Sequence, residues 1–278
     1  VRNAVAVGAD PDRLAGVDNF CWCDPVYSEK TPDGRYKLAQ LVRANLALAH
    51  FCRAYRLPCV SGKDSMKNDY TGGGQKISIP PTVLFSVMGY MPEAAQAVTS
   101  DFKNPGDLIY LLGTTAPECG GAEIAHELGF VSAAVPQVDA LAAAARYRTL
   151  YAAIRAGLVT ACHDLSDGGL GVALAEMAIG GRLGCEVDLA LAPAAGMHAG
   201  PSGMTDIELL YAESAGRLLV TVKPGSREAF EARFAGQAAS CLGRVTAAGE
   251  VRMARGGAPL VGEDVEALAA AFTRTLAW

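Results

Sequence analysis

Residues 162–181, CHDLSDGGLGVALAEMAIGG, constrain the chain most. The stretch opens with His163, Asp164, Ser166 and Asp167, passes through Gly168-Gly169, and continues as an Ala-rich run with Leu170, Leu174, Met177 and Ala178 at helical spacing. Asp or Ser ahead of such a run predicts a helix N-cap. The preceding residues 158–162, LVTAC, are short, apolar and partly β-branched, which predicts a buried strand. The unit therefore reads strand, acidic glycine-containing turn, helix. A helix start offers free N–H groups and the positive end of the helix dipole, which suits phosphate. Two carboxylates beside it repel phosphate unless a divalent cation lies between, and Mg²⁺ takes that role through one or two carboxylates plus substrate phosphates. A second reading stands beside this one: a capped helix with a glycine-rich approach and no ligand.

The chain has 278 residues, 51% hydrophobic and 19% charged, enough for a sizeable core and for two ordinary domains. No apolar run reaches the roughly 18 residues of a membrane span, and the start lacks the basic-then-apolar layout of a signal peptide. Membrane insertion is not expected. With 24 basic and 29 acidic residues the net charge is −5, which argues against nucleic acid as a partner on a broad basic surface. The eight cysteines are scattered. The nearest pair is Cys21-x-Cys23, and no second pair matches it at zinc-site spacing. Reduced thiols in a cytoplasmic protein are the economical reading. Val1-Arg2-Asn3, with no initiator Met, reads as the middle of a longer chain.

Along the chain, residues 1–25 read as loop-rich, with the end of a helix at 3–6. Residues 38–55 carry Leu38, Leu41, Val42, Ala44, Leu46 and Ala49 at loose 3.6 spacing and predict a helix that Pro58 stops. Residues 58–61 read as a short strand, 68–75 as a glycine-rich mobile segment or lid, and 82–90 as an apolar strand. The composition shifts over 92–106, where a domain boundary is expected. Strands are then predicted at 108–113, 186–189 and 217–222, and helices at 121–128, 140–156, 206–212, 227–235 and 265–275. A loop is expected at 190–204, and residues 242–247 and 250–253 are expected to pair. The second part alternates strands and helices, which predicts a layered α/β or α+β sandwich.

Two stretches share one logic. Gly62-Lys63-Asp64-Ser65 and His163-Asp164-Leu165-Ser166 each follow a short strand, and each offers a carboxylate, a hydroxyl and backbone N–H groups. Glycine lets the backbone approach an anion closely, and lysine supplies a point charge for phosphate. The Gly-Lys pair is no Walker A loop, because Leu57 stands where its first glycine is required. The plain alternative is a polar turn with an exposed lysine. Asp18, after the apolar step Ala15-Gly16-Val17, reads as projecting from a strand end or as an ordinary Asx turn. The four histidines are dispersed and none is assigned a catalytic role. No nucleophile-elbow Gly-x-Ser-x-Gly occurs, so a Ser-His-Asp triad is not expected.

Taken in order, VRNAVAVGA at 1–9, VDNFCWCDP at 17–25, KLAQLVRA at 37–44, SGKDSMKND at 61–69 and PPTVLFSVMGY at 80–90 form a specific series. GDLIYLLG at 106–113, CGGAE at 119–123, HDLSDGGLGVALAEMA at 163–178 and ESAGRLLVTV at 213–222 extend it. With these the chain resembles the synthetase subunit of phosphoribosylformylglycinamidine synthase, in a superfamily with aminoimidazole ribonucleotide synthetase and selenophosphate synthetase. The resemblance implies an α+β, layered α/β architecture. Residues 1-98 would be the truncated C-terminal part of a second, barrel-forming A domain. Residues 99-278 would be a complete second α/β sandwich B domain of the aminoimidazole ribonucleotide synthetase type.

The resemblance also implies a chemistry, an ATP-dependent carbon–nitrogen ligase of purine synthesis. It would convert formylglycinamide ribonucleotide, ATP and glutamine-derived ammonia to formylglycinamidine ribonucleotide, ADP and phosphate. The implied cofactors are ATP and Mg²⁺. By the same resemblance Asn3 and Asp164 match metal ligands that meet across the domain boundary, Asp18, Gly62 and Ser166 match nucleotide contacts, and Ser65 matches a substrate contact. Lys63 stands where the small-subunit form has a metal-binding asparagine. A protonated lysine cannot ligate Mg²⁺, so a phosphate contact is expected there. Implied partners are a glutaminase domain or subunit and the N-terminal half of a parent chain. A piece of this kind is expected to be inactive alone and to form a homodimer through its first-domain strands. The alternatives are another synthetase of the superfamily and a non-catalytic nucleotide-binding scaffold half.

Overall fold

A computed structural model describes residues 1–194 and 203–274. The elements run α1 (Arg2–Ala6), β1 (Leu14–Cys21), α2 (Gly34–Ala54), β2 (Cys59–Ser65), β3 (Tyr70–Gly72), β4 (Gln75–Ile77) and β5 (Thr82–Gly89). There follow β6 (Leu108–Leu112), α3 (Glu123–Leu128), α4 (Ala140–Arg155), β7 (Ala161–Asp164), α5 (Gly169–Gly181), β8 (Gly184–Asp188), α6 (Asp206–Tyr211) and β9 (Leu218–Val222). The chain closes with α7 (Arg227–Arg233), β10 (Ala239–Thr246), β11 (Glu250–Arg255), β12 (Ala258–Asp264) and α8 (Val265–Arg274). Among the described residues no helix is long and apolar enough to cross a membrane.

Two compact units result. One holds Val1 and Ala9–Tyr90, the other Arg2–Gly8 and Met91–Trp278, so α1 belongs with the second.

The first unit is a three-stranded sheet of order β2-β1-β5, with β1 parallel to β2 and antiparallel to β5. Successive strand residues face opposite ways. Phe20 and Trp22 therefore share one face, where Leu41, Ala44 and Leu48 of α2 cover them. Leu38, Val42 and Leu46, expected on the same buried stripe, point to solvent. β1 itself lies where loop was expected, because the apolar alternation from Leu14 to Phe20 is interrupted by Gly16, Asp18 and Asn19. The glycine-rich stretch expected to be a lid is the hairpin β3–β4. Lys76 of that hairpin ties it down, donating to Asp24 Oδ2 at 3.0 Å and Thr31 Oγ1 at 2.5 Å, with Asp69 Oδ2 at 3.4 Å.

The second unit is a mixed α/β domain on a seven-stranded sheet of order β12-β11-β8-β10-β6-β9-β7. Strands β6 (LIYLL) and β9 (LLVTV) are near-continuously apolar because both their faces are covered. Ile109 and Leu111 of β6 join the core made by α5, α6 and α8. Tyr110, pointing the other way, meets Phe230 of α7 with ring centroids 4.9 Å apart. Helix α5 is apolar nearly all round, as a buried helix must be, with Leu170, Leu174 and Met177 fully enclosed. β10 and β11, expected to pair, do not: β8 lies between them, antiparallel to β10 and parallel to β11. β12, which pairs with β11, was not anticipated. The expected loop at 190–204 contains a short 3-10 turn at Leu189–Leu191, and its residues 195–202 lie outside the described residues, as does residue 275 of the closing helix.

Candidate functional site

In the first unit, register places the expected residues on two faces. Asp18 is opposite Gly62 across the β1–β2 pair, and Asn19 is opposite Lys63. Asp18 and Gly62 therefore share the face of Phe20, under α2, while Lys63 and Ser65 share the uncovered face with Asn19 and Cys21. Gly62 has a steric reason: a Cβ there would lie 2.6 Å from Asp18 Oδ1. Lys63 and Ser65, two residues apart on β2, meet directly, with Nζ donating to Oγ at 2.5 Å. The tetrapeptide is thus part of the strand rather than a loop after it. The open face also carries Leu84 and Met88 of β5, 60% and 56% exposed.

In the second unit the strand expected at 158–162 begins three residues later, so His163 and Asp164 are strand residues of β7. α1 packs on this strand. The contact it makes with Asp164 comes from Arg2, whose Nε donates to Oδ2 at 3.0 Å. Asn3, the expected ligand, is solvent-exposed. By contact both residues belong to the second unit, where α1 lies against β7. His163 Nδ1 lies 3.7 Å from Asp164 Oδ1, and its Nε2 is 2.8 Å from Glu176 Oε2 on α5. The carboxylates of Asp164 and Glu176 push the His163 pKa up to about 9, against burial. In turn His163, with Arg2, holds Asp164 below the usual carboxylate range.

The start of α5 differs from expectation. No Asp or Ser side chain caps it; Gly168 is the N-cap, with φ 75°, and Gly169 follows with φ 61°. Both angles are in the left-handed region that favours glycine. The Gly168 N–H donates to Glu213 Oε1 at 2.9 Å, and the same oxygen accepts from the Glu123 N–H at the start of α3 at 2.9 Å. A carboxylate of the protein therefore accepts from the first N–H at this helix start. Ser166 is exposed beside it, and its carbonyl accepts from Gly169 N–H at 3.1 Å.

Arg217 is fully buried, donating Nε to the Ser214 carbonyl and Nη1 to Thr115 Oγ1, each at 2.9 Å, and Nη2 to the Ala212 carbonyl. Its own carbonyl accepts from Leu165 N–H at 3.2 Å and so holds the turn after Asp164. Burial first, then the charge of Arg2, lowers its pKa to about 10.

The residues at Asp164 do not complete a divalent-cation site. Arg2 and His163 already face its two oxygens, and among the described residues no group of three or more His, Cys, Asp or Glu is placed to hold a metal. Sequence reasoning missed Arg2, Glu176, Glu213 and Arg217. For Arg217 a signal existed, a charge opening the apolar run LLVTV; Glu213 and Glu176 carried none, because their partners are 45 and 13 residues away.

A seven-stranded mixed sheet with helices on both sides of its centre, and an acidic turn leading into a buried helix, defines the class: a mixed α/β domain with a polar cluster at a strand end. Residues 104–255 match the C-terminal domain of AIR synthase related proteins, and the chain belongs to that family. It is 36% identical over 84% of its length to phosphoribosylformylglycinamidine synthase subunit PurL of Thermococcus sibiricus. It spans about 30% of the length of the curated relatives it matches. Among solved structures, Thermotoga maritima PurL superimposes on 96% of the chain in its complex with ATP (TM-score 0.67, 19% identity, 39% of that chain). Its complex with FGAR superimposes on 97% (0.68, 18% identity, 41% of that chain). A structure of PurLQS from the same organism superimposes on 96% of the chain and covers 40% of the matched chain (TM-score 0.68, 19% identity). Escherichia coli HypE, a hydrogenase maturation protein, superimposes on 95% of the chain and is itself covered to 75% (0.64, 19% identity).

Proposed function

We propose that the chain is part of an ATP-dependent amidine-forming ligase that acts on formylglycinamide ribonucleotide with glutamine-derived ammonia. The 36% identity to a PurL subunit across most of this chain carries the reading. The two units would correspond to part of a second A domain and to a second B domain. In this reaction ATP phosphorylates the amide oxygen, ammonia adds to the activated carbon, and phosphate leaves. Such chemistry depends on positioning and charge neutralisation.

On this reading Lys63 supplies a point charge for phosphate. By donating to Ser65 Oγ it also leaves the serine O–H free to donate to substrate. Asp18 and Gly62 would contact nucleotide on the other face, and Ser166 would do so in the second unit. Partners would be a glutaminase, as the family resemblance implies, and the N-terminal part of a longer synthetase chain. The unpaired edges of β2 and β5 and the exposed Leu84 and Met88 support docking of another chain, or self-association, on the open face.

The test is FGAR-dependent ATP hydrolysis by the complete synthetase carrying Lys63→Ala, Ser65→Ala or Asp18→Asn. Each should lower kcat/KM by at least tenfold, about 1.4 kcal/mol. Unchanged kinetics in all three would leave this part of the chain a non-catalytic scaffold. A second reading is another ATP-dependent synthetase of the superfamily, whose fold this chain shares with HypE. ATP turnover indifferent to FGAR would select it.

A further inference from the structure

Two thiols from different elements meet in the first unit. Cys52 lies in the last turn of α2 and Cys59 opens β2, and their sulfurs are 3.7 Å apart. Cys59 is exposed and Cys52 is half-buried. The connection between them is held in place: Leu57 N–H donates to the Cys52 carbonyl at 2.8 Å, and Arg56 N–H to the Arg53 carbonyl at 3.2 Å. Pro58 then stiffens the approach to the strand. A disulfide requires sulfurs at about 2.05 Å, so the gap to close is about 1.7 Å, within reach of side-chain rotation at an exposed strand end.

We propose that Cys52 and Cys59 form a redox-modification site, which a low-molecular-weight disulfide such as glutathione disulfide converts to an intrachain disulfide. The Cys59 thiolate attacks one sulfur of the small disulfide, forming a mixed disulfide and releasing one small thiolate. The Cys52 thiolate then attacks the Cys59 sulfur, the protein disulfide forms, and the second small thiolate leaves. Two electrons pass from the two cysteines to the small disulfide, and the two protons leave on the released thiols. The order follows from the surroundings. Burial, the hydrogen bond with Cys59 and the charge of Asp18 push the Cys52 pKa up to about 11, so the exposed Cys59 is the point of entry. The bond would pin the end of α2 to the strand that carries Gly62, Lys63 and Ser65, whatever ligand those residues take.

The full chain is equilibrated in glutathione buffers of increasing oxidised fraction, alkylated, and read by intact mass and peptide mapping. The expected product is a chain lighter by two hydrogens, with the Cys52 and Cys59 peptides joined. Cys52→Ser should stop at one glutathione on Cys59, and Cys59→Ser should give neither product. A wild-type chain that keeps both thiols at the most oxidising ratio overturns the proposal, whether or not Cys52→Ser takes up glutathione. So does a bond that joins other cysteines or two chains. Wild-type mapping decides the matter even if a variant folds poorly.

Discussion

In the second unit the interior strand β6 sends Ile109 and Leu111 into one helical layer and Tyr110 into another. In the first unit the central strand β1 has α2 on one side only, and on the other Val17, Asn19 and Cys21 remain partly exposed. The difference decides how polar side chains are held. Where burial is complete, a charge survives only inside a complete set of partners, as Arg217 does with three acceptors. Where one face is open, Lys63 and Ser65 satisfy each other and keep donors for a ligand. Arg217 in the second unit and Lys63 in the first therefore hold their charges in different ways.

The contrast is tested most severely at Arg217. Arg217→Ala should cost roughly 3–5 kcal/mol, because Ser214, Ala212 and Thr115 lose a buried donor together. Chemical denaturation measures this, and a loss under about 1 kcal/mol would break the contrast.

His163 comes next. Folding raises its pKa from the ordinary 6.5 to about 9. The proton is therefore held more tightly in the folded chain, and the stabilisation is complete below about 6.5 and lost as pH rises through about 9. At 1.36 kcal/mol per pKa unit this is worth on the order of 3 kcal/mol. The midpoint of thermal unfolding should fall across that window, and His163→Gln should remove the slope.

In the first unit Gly62→Ala places a methyl against the Asp18 carboxylate and forces it aside. If Asp18 contacts nucleotide, calorimetry should show ATP affinity falling about tenfold, or 1.4 kcal/mol, in the complete synthetase. Unaltered affinity would remove Asp18 from the nucleotide reading. The smallest change in stability is expected at Leu84→Glu on the open face, within about 0.5 kcal/mol, whereas Leu111→Ala in the closed sheet should cost about 2–5 kcal/mol. Leu84→Glu should nonetheless abolish self-association. Sedimentation of the wild-type chain as a monomer at high micromolar concentration would remove that expectation.

Most helices and the apolar strands were legible because their signals are local. The 3.6 period marks α4 and α5, and the unbroken run LIYLL marks β6 as buried on both faces. β1 escaped because glycine and two polar residues interrupt its alternation, and β7 was placed three residues early because LVTAC and ACHD overlap. At the candidate site, the joint placement of Asp18 and Gly62 followed from the strand register that brings residues 18 and 62 opposite one another.

The sequence by itself determined where most helices and the apolar strands form, the dispersal of the cysteines, the acidic turn before α5, and the family to which the chain belongs. Those depend on neighbours within a turn or two of the chain, or on ordered motifs that can be read directly. Only the tertiary structure decided that β8 inserts between β10 and β11, that Glu213 caps two helices at once, that Arg2 takes Asp164, and that Cys52 faces Cys59. Sheet order, charge pairing and thiol contact join segments from different elements of the chain, and no local periodicity records which will meet.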